Sequence, residues 1–251
     1  MKGFKRKKIV TWYVCIFLVV AVTVGGFGVY VSDYYHADGK AIDEFIAQSA
    51  THVQGTYDPK GITTYGEEDA EYGFIFYPGG KVEATAYEPL MYSLASNGVF
   101  CVLLQMPFNL AILDMNAADG ICEEYSSVQN WYIGGHSLGG SMAAYYIEEN
   151  QKDFEGLILL GSYSTKDLSK TGLRALSVFG SEDKVLNKTK YNRYKSYLPL
   201  NSTEIEIEGG CHAYFGMYGA QKGDGVPTIT AQEQITKTSE YIVEFMNEGG
   251  N

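Results

Sequence analysis

Ser137, His212 and an acid at Asp183 or Glu182 are the side chains of this protein that could together cleave an acyl bond. The hydroxyl lies in Gly135-His136-Ser137-Leu138-Gly139. A serine framed this way suits a sharp strand-to-helix turn, because glycines without Cβ atoms let the backbone pack closely. Such a turn lifts the hydroxyl above a sheet, beside a helix N-terminus that favours negative charge. The run 131–134 before the motif is apolar and reads as a strand; the residues after it read as a helix.

A serine hydroxyl is a weak nucleophile until a base takes its proton. Four histidines are available. His36 and His52 precede the regular strand–helix alternation, and the turn should point His136 away from the hydroxyl. His212, in Gly209-Gly210-Cys211-His212, follows the alternating run 203–207, where the chain order serine, acid, histidine puts the base. The acid should follow the preceding strand, in Ser177-Val178-Phe179-Gly180-Ser181-Glu182-Asp183. Asp183 is preferred because Gly180-Ser181 makes a tight turn leading into it, while spacing leaves Glu182 open. In this arrangement the imidazole takes the proton and the carboxylate holds the resulting imidazolium.

The negative charge that develops on a reacting carbonyl needs backbone N–H donors. Leu138, the residue after the hydroxyl, should supply one. The Gly80 or Lys81 amide, in Tyr77-Pro78-Gly79-Gly80-Lys81, should supply another. Phe108, in Met106-Pro107-Phe108-Asn109, and Phe215 and Tyr218, in the long loop 213–230, are expected to touch substrate.

The elements that must position these groups follow from hydrophobic periodicity. Strands are expected at 72–77, 99–104, 131–134, 156–160, 173–179 and 203–207. Helices are expected at 84–97, 110–124, 138–149, 186–194 and 231–246, the last with Ile235, Tyr241, Ile242 and Phe245 facing the core. One or two short strands are expected in 51–70, around the turn Asp58-Pro59-Lys60-Gly61, and a juxtamembrane helix in 32–50. This alternation implies an α/β fold with a mostly parallel, doubly wound sheet. Ligands then bind beyond the carboxyl ends of the strands. Only 162–172 separates two of the later strands, too little for a helical lid.

The motifs Phe76-Tyr77-Pro78-Gly79-Gly80, Gly134-Gly135-His136-Ser137-Leu138-Gly139-Gly140, Gly180-Ser181-Glu182-Asp183 and Gly210-Cys211-His212 resemble the α/β-hydrolase superfamily over about residues 70–247. The chain is similar to its small, dienelactone-hydrolase-like members, and to bacterial membrane-anchored ones without an assigned substrate. That resemblance implies a triad of Ser137, Asp183 and His212, and it implies no particular substrate. Ester hydrolysis, acyl transfer by the same acyl-enzyme and a non-catalytic binding role remain open at this point. The expected partner is a small-molecule or lipid-like acyl compound; no metal or organic cofactor is required.

Residues 9–31 carry no charge, and at 1.5 Å per residue they span roughly 35 Å as a helix. That suffices for a bilayer's ~30 Å hydrocarbon core. The cluster Lys2, Lys5, Arg6, Lys7 and Lys8 predicts a cytoplasmic N-terminus, so the remainder should lie outside as a signal-anchored, single-pass protein; the rival is a cleaved signal peptide, whose apolar region would be shorter, about 7–15 residues. Residues 1–8, 9–31, 32–70 and 71–251 are accordingly expected to be basic segment, anchor, juxtamembrane segment with first strands, and catalytic domain. Beyond the first 31 residues there are 14 basic and 30 acidic side chains, a formal charge of −16. Such a domain has no basic footprint for nucleic acid. Cys101 and Cys122 are expected to be small core side chains, and the four cysteines show no metal-binding spacing.

Overall fold

The computed structural model describes residues 2–48 and 53–248. The chain divides into the units Met1–Tyr34 and Tyr35–Asn251. The first is one helix, α1 (Lys2–Ser32), which contains the uncharged run. Its segment Cys15–Ser32 is apolar with no residue buried, and has the length and composition of a membrane span or a signal sequence.

In the second unit the elements run α2 (Gly39–Ala47), β1 (Thr56–Asp58), β2 (Ile62–Tyr65), β3 (Tyr72–Tyr77), α3 (Glu88–Ala95), β4 (Val99–Leu104), α4 (Ile121–Glu124) and β5 (Asn130–His136). They continue with α5 (Leu138–Glu149), β6 (Gly156–Leu160), β7 (Arg174–Gly180), α6 (Lys188–Tyr194), β8 (Asn201–Ile207) and α7 (Ala231–Asn247). The eight strands form one sheet in the order β1-β2-β4-β3-β5-β6-β7-β8. β1 and β2 pair antiparallel, and β3 to β8 run parallel.

Period-2 alternation divides each central strand between two cores. Phe74, Phe76, Cys101, Leu103, Ile158 and Leu160 pack on one face with Ile42 of α2, Leu90 and Leu94 of α3, and Ile235, Ile242 and Phe245 of α7. Ile75, Tyr77, Phe100, Val102, Leu157 and Leu159 pack on the other with Ile121 of α4 and Ala143, Ala144 and Ile147 of α5. Cover on both faces is why these strands read as unbroken apolar runs. Each fully buried Leu, Ile or Phe contributes about 1.5–3 kcal/mol.

Some expectations change. The helix expected over 84–97 divides into a 3-10 turn, Ala84–Tyr87, and α3, because Pro89 fits the first turn of a helix but not its interior. The helix expected over 110–124 is not formed as one. A 3-10 turn, Ala111–Leu113, and the single turn of α4 stand in its place. Gly120 adopts φ 79° between them, and the buried Tyr77 hydroxyl holds the intervening backbone at Met115 C=O (2.9 Å) and Ala118 N–H (3.2 Å). Within 32–70 lie α2, whose Ile42 and Phe45 join the core, and the short strands β1 and β2. Tyr241 is half-buried, whereas the other three α7 residues are buried as expected. Cys101 and Cys211 are buried, and Cys122 is half-buried.

Candidate active site

The sheet order reverses around β3. The chain leaves β3 for β4 on one side and returns to β5 on the other, which makes the ends of β3 and β5 the switch point of the sheet. Tyr77 and Gly135 are in register there. The turn after β3 carries Gly79-Gly80-Lys81, and the turn after β5 carries Ser137.

Ser137 has φ 52° and ψ −119°, a left-handed backbone that L-residues rarely adopt. Its peptide is fixed at both ends: Ser137 N–H donates to Leu160 C=O (2.9 Å), and Ser137 C=O accepts from the Ser162 hydroxyl (2.6 Å). Gly139 is required two residues later, because a Cβ there would run into the backbone carbonyls of Tyr77 and Pro78. The elbow is thus pressed onto the end of β3.

His212 and Asp183 are buried, at 1% and 4% exposure. His212 Nδ1 lies 2.8 Å from Asp183 Oδ2. Asp183 Oδ1 accepts the Val185 and Leu186 N–H groups at 2.9 and 2.7 Å. A carboxylate only accepts, so Nδ1–H is the donor of this bond. Nε2 is buried and has no hydrogen-bond partner among the described residues. The Ser137 hydroxyl is therefore not bonded to it in this conformation, although Ser137 and His212 line the same cleft. Such bonds commonly tighten only when substrate binds. Of the two acids considered, Asp183 is the one that meets the imidazole. Glu182 instead contributes its backbone N–H to Gly210 C=O (2.8 Å).

His136 points away from the cleft into the protein. Its Nδ1 lies 2.8 Å from the Tyr87 hydroxyl, which accepts the Gly79 N–H at 3.1 Å. Burial, and secondarily the neighbouring His212 ring at 4.5 Å between centroids, hold the His136 pKa well below 6.5. A neutral ring thus lies under His212. His36 is on the surface, 3.6 Å from Glu83, and His52 lies outside the described residues.

The two amides considered beside Leu138 are separated by their partners. Lys81 N–H donates to Asn109 C=O (2.7 Å), which corrects its expected role. Gly80 N–H has no acceptor among the described residues, and a Cβ on Gly80 would touch the Leu138 side chain at 2.9 Å. Leu138 opens α5, where the first N–H groups have no partner within the helix.

The cleft has a volume of about 190 Å³ and is walled by Ser141, Ser162, Tyr163, Val185, Leu186 and Asn187 beside Ser137 and His212. Sequence reasoning missed these walls, although all but Ser141 follow the carboxyl ends of β6 and β7, where such residues belong. The expected substrate contacts are elsewhere. Phe215 (0% exposed) packs against His136, and Tyr218 (7%) packs between Tyr35 and Tyr87, so neither offers a surface to a ligand. Phe108 is 58% exposed at φ 54°, outside the cleft wall. The segment 161–173 between β6 and β7 carries no helix, so no helical lid is inserted there.

The family model described as the alpha/beta hydrolase family matches residues 73–236. The fold is similar to Est1E from Butyrivibrio proteoclasticus (TM-score 0.55, 14% identity, 79% of this chain and 99% of that one). It is similar to a dienelactone hydrolase from Anabaena variabilis (TM-score 0.58, 12% identity, 78% and 99%). It also resembles an alpha/beta hydrolase enzyme from the metagenome of lagoon sediments at Mar Chica, Morocco (TM-score 0.56, 14% identity, 79% and 99%). Comparison with curated protein sequences finds no match. With that model covering well over half its length, and a strained serine turn at the switch point of its sheet, the chain belongs to the alpha/beta hydrolase family.

Proposed function

We propose that this hydrolase cleaves a carboxylic ester, or a related acyl bond, through an acyl-enzyme on Ser137. The observation that carries the reading is one cleft shared by the strained Ser137 and His212, with His212 Nδ1 held by Asp183 and Nε2 without a partner. In this mechanism His212 takes the Ser137 proton as the oxygen attacks the carbonyl. Asp183 holds the imidazolium that forms. The Leu138 and Gly80 amides receive the oxyanion, each typically contributing about 3 kcal/mol to the transition state. His212 returns its proton to the leaving group, and water then releases the acyl group by the same steps in reverse.

A cleft of about 190 Å³ supports a compact acyl group, being smaller than the ~300–1,000 Å³ typical of drug-sized ligands. We read α1 as a single-pass anchor with its basic end in the cytoplasm and the catalytic unit outside. The test uses the full chain in detergent micelles, treated with a fluorophosphonate, mapped by mass spectrometry and assayed with short and long p-nitrophenyl esters. A label on Ser137, turnover favouring short esters, and loss of both in Ser137→Ala are expected. Retained turnover in Ser137→Ala would remove Ser137 from the mechanism. A folded chain that never labels would move the reading to a binding protein.

A further inference from the structure

Asp224 lies in the loop between His212 and α7, and its carboxylate touches both loops that carry the acid and the imidazole. Oδ2 accepts the N–H of Ala213, the residue after His212, at 2.9 Å. Oδ1 accepts the N–H of Lys184, the residue after Asp183, at 3.3 Å, and that of Gly225 at 2.8 Å. One half-buried carboxylate thus bridges the position after each member of the pair. Burial alone would raise its pKa, but the amides of Ala213, Gly225, Lys184 and His212 outweigh burial and hold it below 3.8. The bridge is therefore charged at neutral pH, as its strength requires.

Neighbouring contacts close the same two loops on each other. Glu182 N–H donates to Gly210 C=O (2.8 Å), and Gly209 N–H donates to the Ser181 hydroxyl (2.9 Å). Gly225 lies so close to Glu182 C=O that no Cβ would fit, which brings Asp224 within reach of Lys184. The loop 213–230 therefore backs the pair and does not wall the cleft.

We propose that Asp224 is a positioning residue that fixes the spacing and orientation of Asp183 and His212; this rests on reading those two as the catalytic pair. It touches neither substrate nor the reacting atoms. A displacement of ~1 Å in such a pair costs on the order of 100-fold in rate.

The test compares the full chain in detergent with Asp224→Ala and Asp224→Asn by melting temperature, by kcat and KM on p-nitrophenyl acetate, and by the rate of fluorophosphonate labelling at Ser137. Well below its melting temperature, Asp224→Ala should lose about 30–100-fold in both kcat and labelling rate, with KM within about twofold of the wild type. Asp224→Asn should fall between the two, because its amide keeps one acceptor oxygen but presents an N–H₂ where the other stood. If Asp224→Ala does not fold, the Asn variant decides, and wild-type turnover in it overturns the proposal. A folded Asp224→Ala that melts lower but keeps its kcat also overturns it, as does a variant that loses only KM. A wild-type chain that never labels at Ser137 is a different result: it takes down the hydrolase reading itself, and this inference with it.

Discussion

Ser137 holds a backbone conformation that suits glycine better than serine. Strain of this kind costs about 1–3 kcal/mol and persists only where the surroundings over-determine it. Here the Leu160 carbonyl and the Ser162 hydroxyl do so. Glycine normally destabilises relative to alanine, but at position 137 the order should reverse. Ser137→Gly is expected to be more stable than Ser137→Ala by about 1 kcal/mol in urea unfolding, with both inactive. Equal stabilities would mean that the turn stores no strain. His136 makes a second claim at this scale. Its pKa is depressed in the fold, so below pH 6.5 the unfolded chain binds a proton that the folded chain refuses. The stability it supports is fully present above pH 6.5 and is lost as pH falls toward the folded value, at up to ~1.4 kcal/mol per unit. His136→Gln should flatten the acid limb of stability by up to about 2 kcal/mol between pH 6.5 and 5, read by urea unfolding at several pH values. An unchanged slope would count against the buried, neutral ring.

At the scale of elements, the site depends on how closely the elbow between β5 and α5 rests on the end of β3. Gly139 has two rigid carbonyls where its Cβ would be, and backbone does not step aside as a side chain can. Gly139→Ala should cost about 2–3 kcal/mol, as overpacking of a close contact does, and should lower kcat as the Leu138 amide shifts. Gly98→Ala makes a control of a different kind. Position 98 is open, but its φ of 83° strains alanine, so stability should fall while kcat stays. A fall in kcat with Gly98→Ala as large as with Gly139→Ala would show that activity merely follows stability.

For the whole molecule, the compact unit starts before the sheet. Tyr35 N–H donates to Lys81 C=O (2.7 Å) and Glu83 N–H to Tyr35 C=O (3.0 Å), while Asp38 N–H donates to Met217 C=O (2.8 Å). The few residues after α1 therefore tie the turn after β3 to the loop after His212. A fragment of residues 33–251 should be released from membranes and keep its ester turnover. A fragment of residues 40–251 should lose most of that turnover. Fractionation and p-nitrophenyl acetate assays of the two check this. Equal activity would reduce residues 35–38 to a tether.

Local chemistry was legible in the residues themselves. The strands around Ile75, Val102 and Ile158 show as apolar runs because both sheet faces are covered, and the serine turn shows because only glycines tolerate its contacts. The order of serine, acid and histidine along the chain is what the resemblance to alpha/beta hydrolases implies. What the tertiary structure decided are partners and directions of side chains: Asp183 rather than Glu182 meets the imidazole, the Lys81 amide is spent on Asn109 C=O, and Phe215 and Tyr218 turn into the core. The helix expected over 110–124 fails for a similar reason, since the Tyr77 hydroxyl on β3 claims its backbone. Composition and periodicity along a chain carry burial and turns, because these depend on nearby residues. Which amide is already spent, and which carboxylate meets the imidazole, depends on partners far away in sequence, and only the folded chain brings those together.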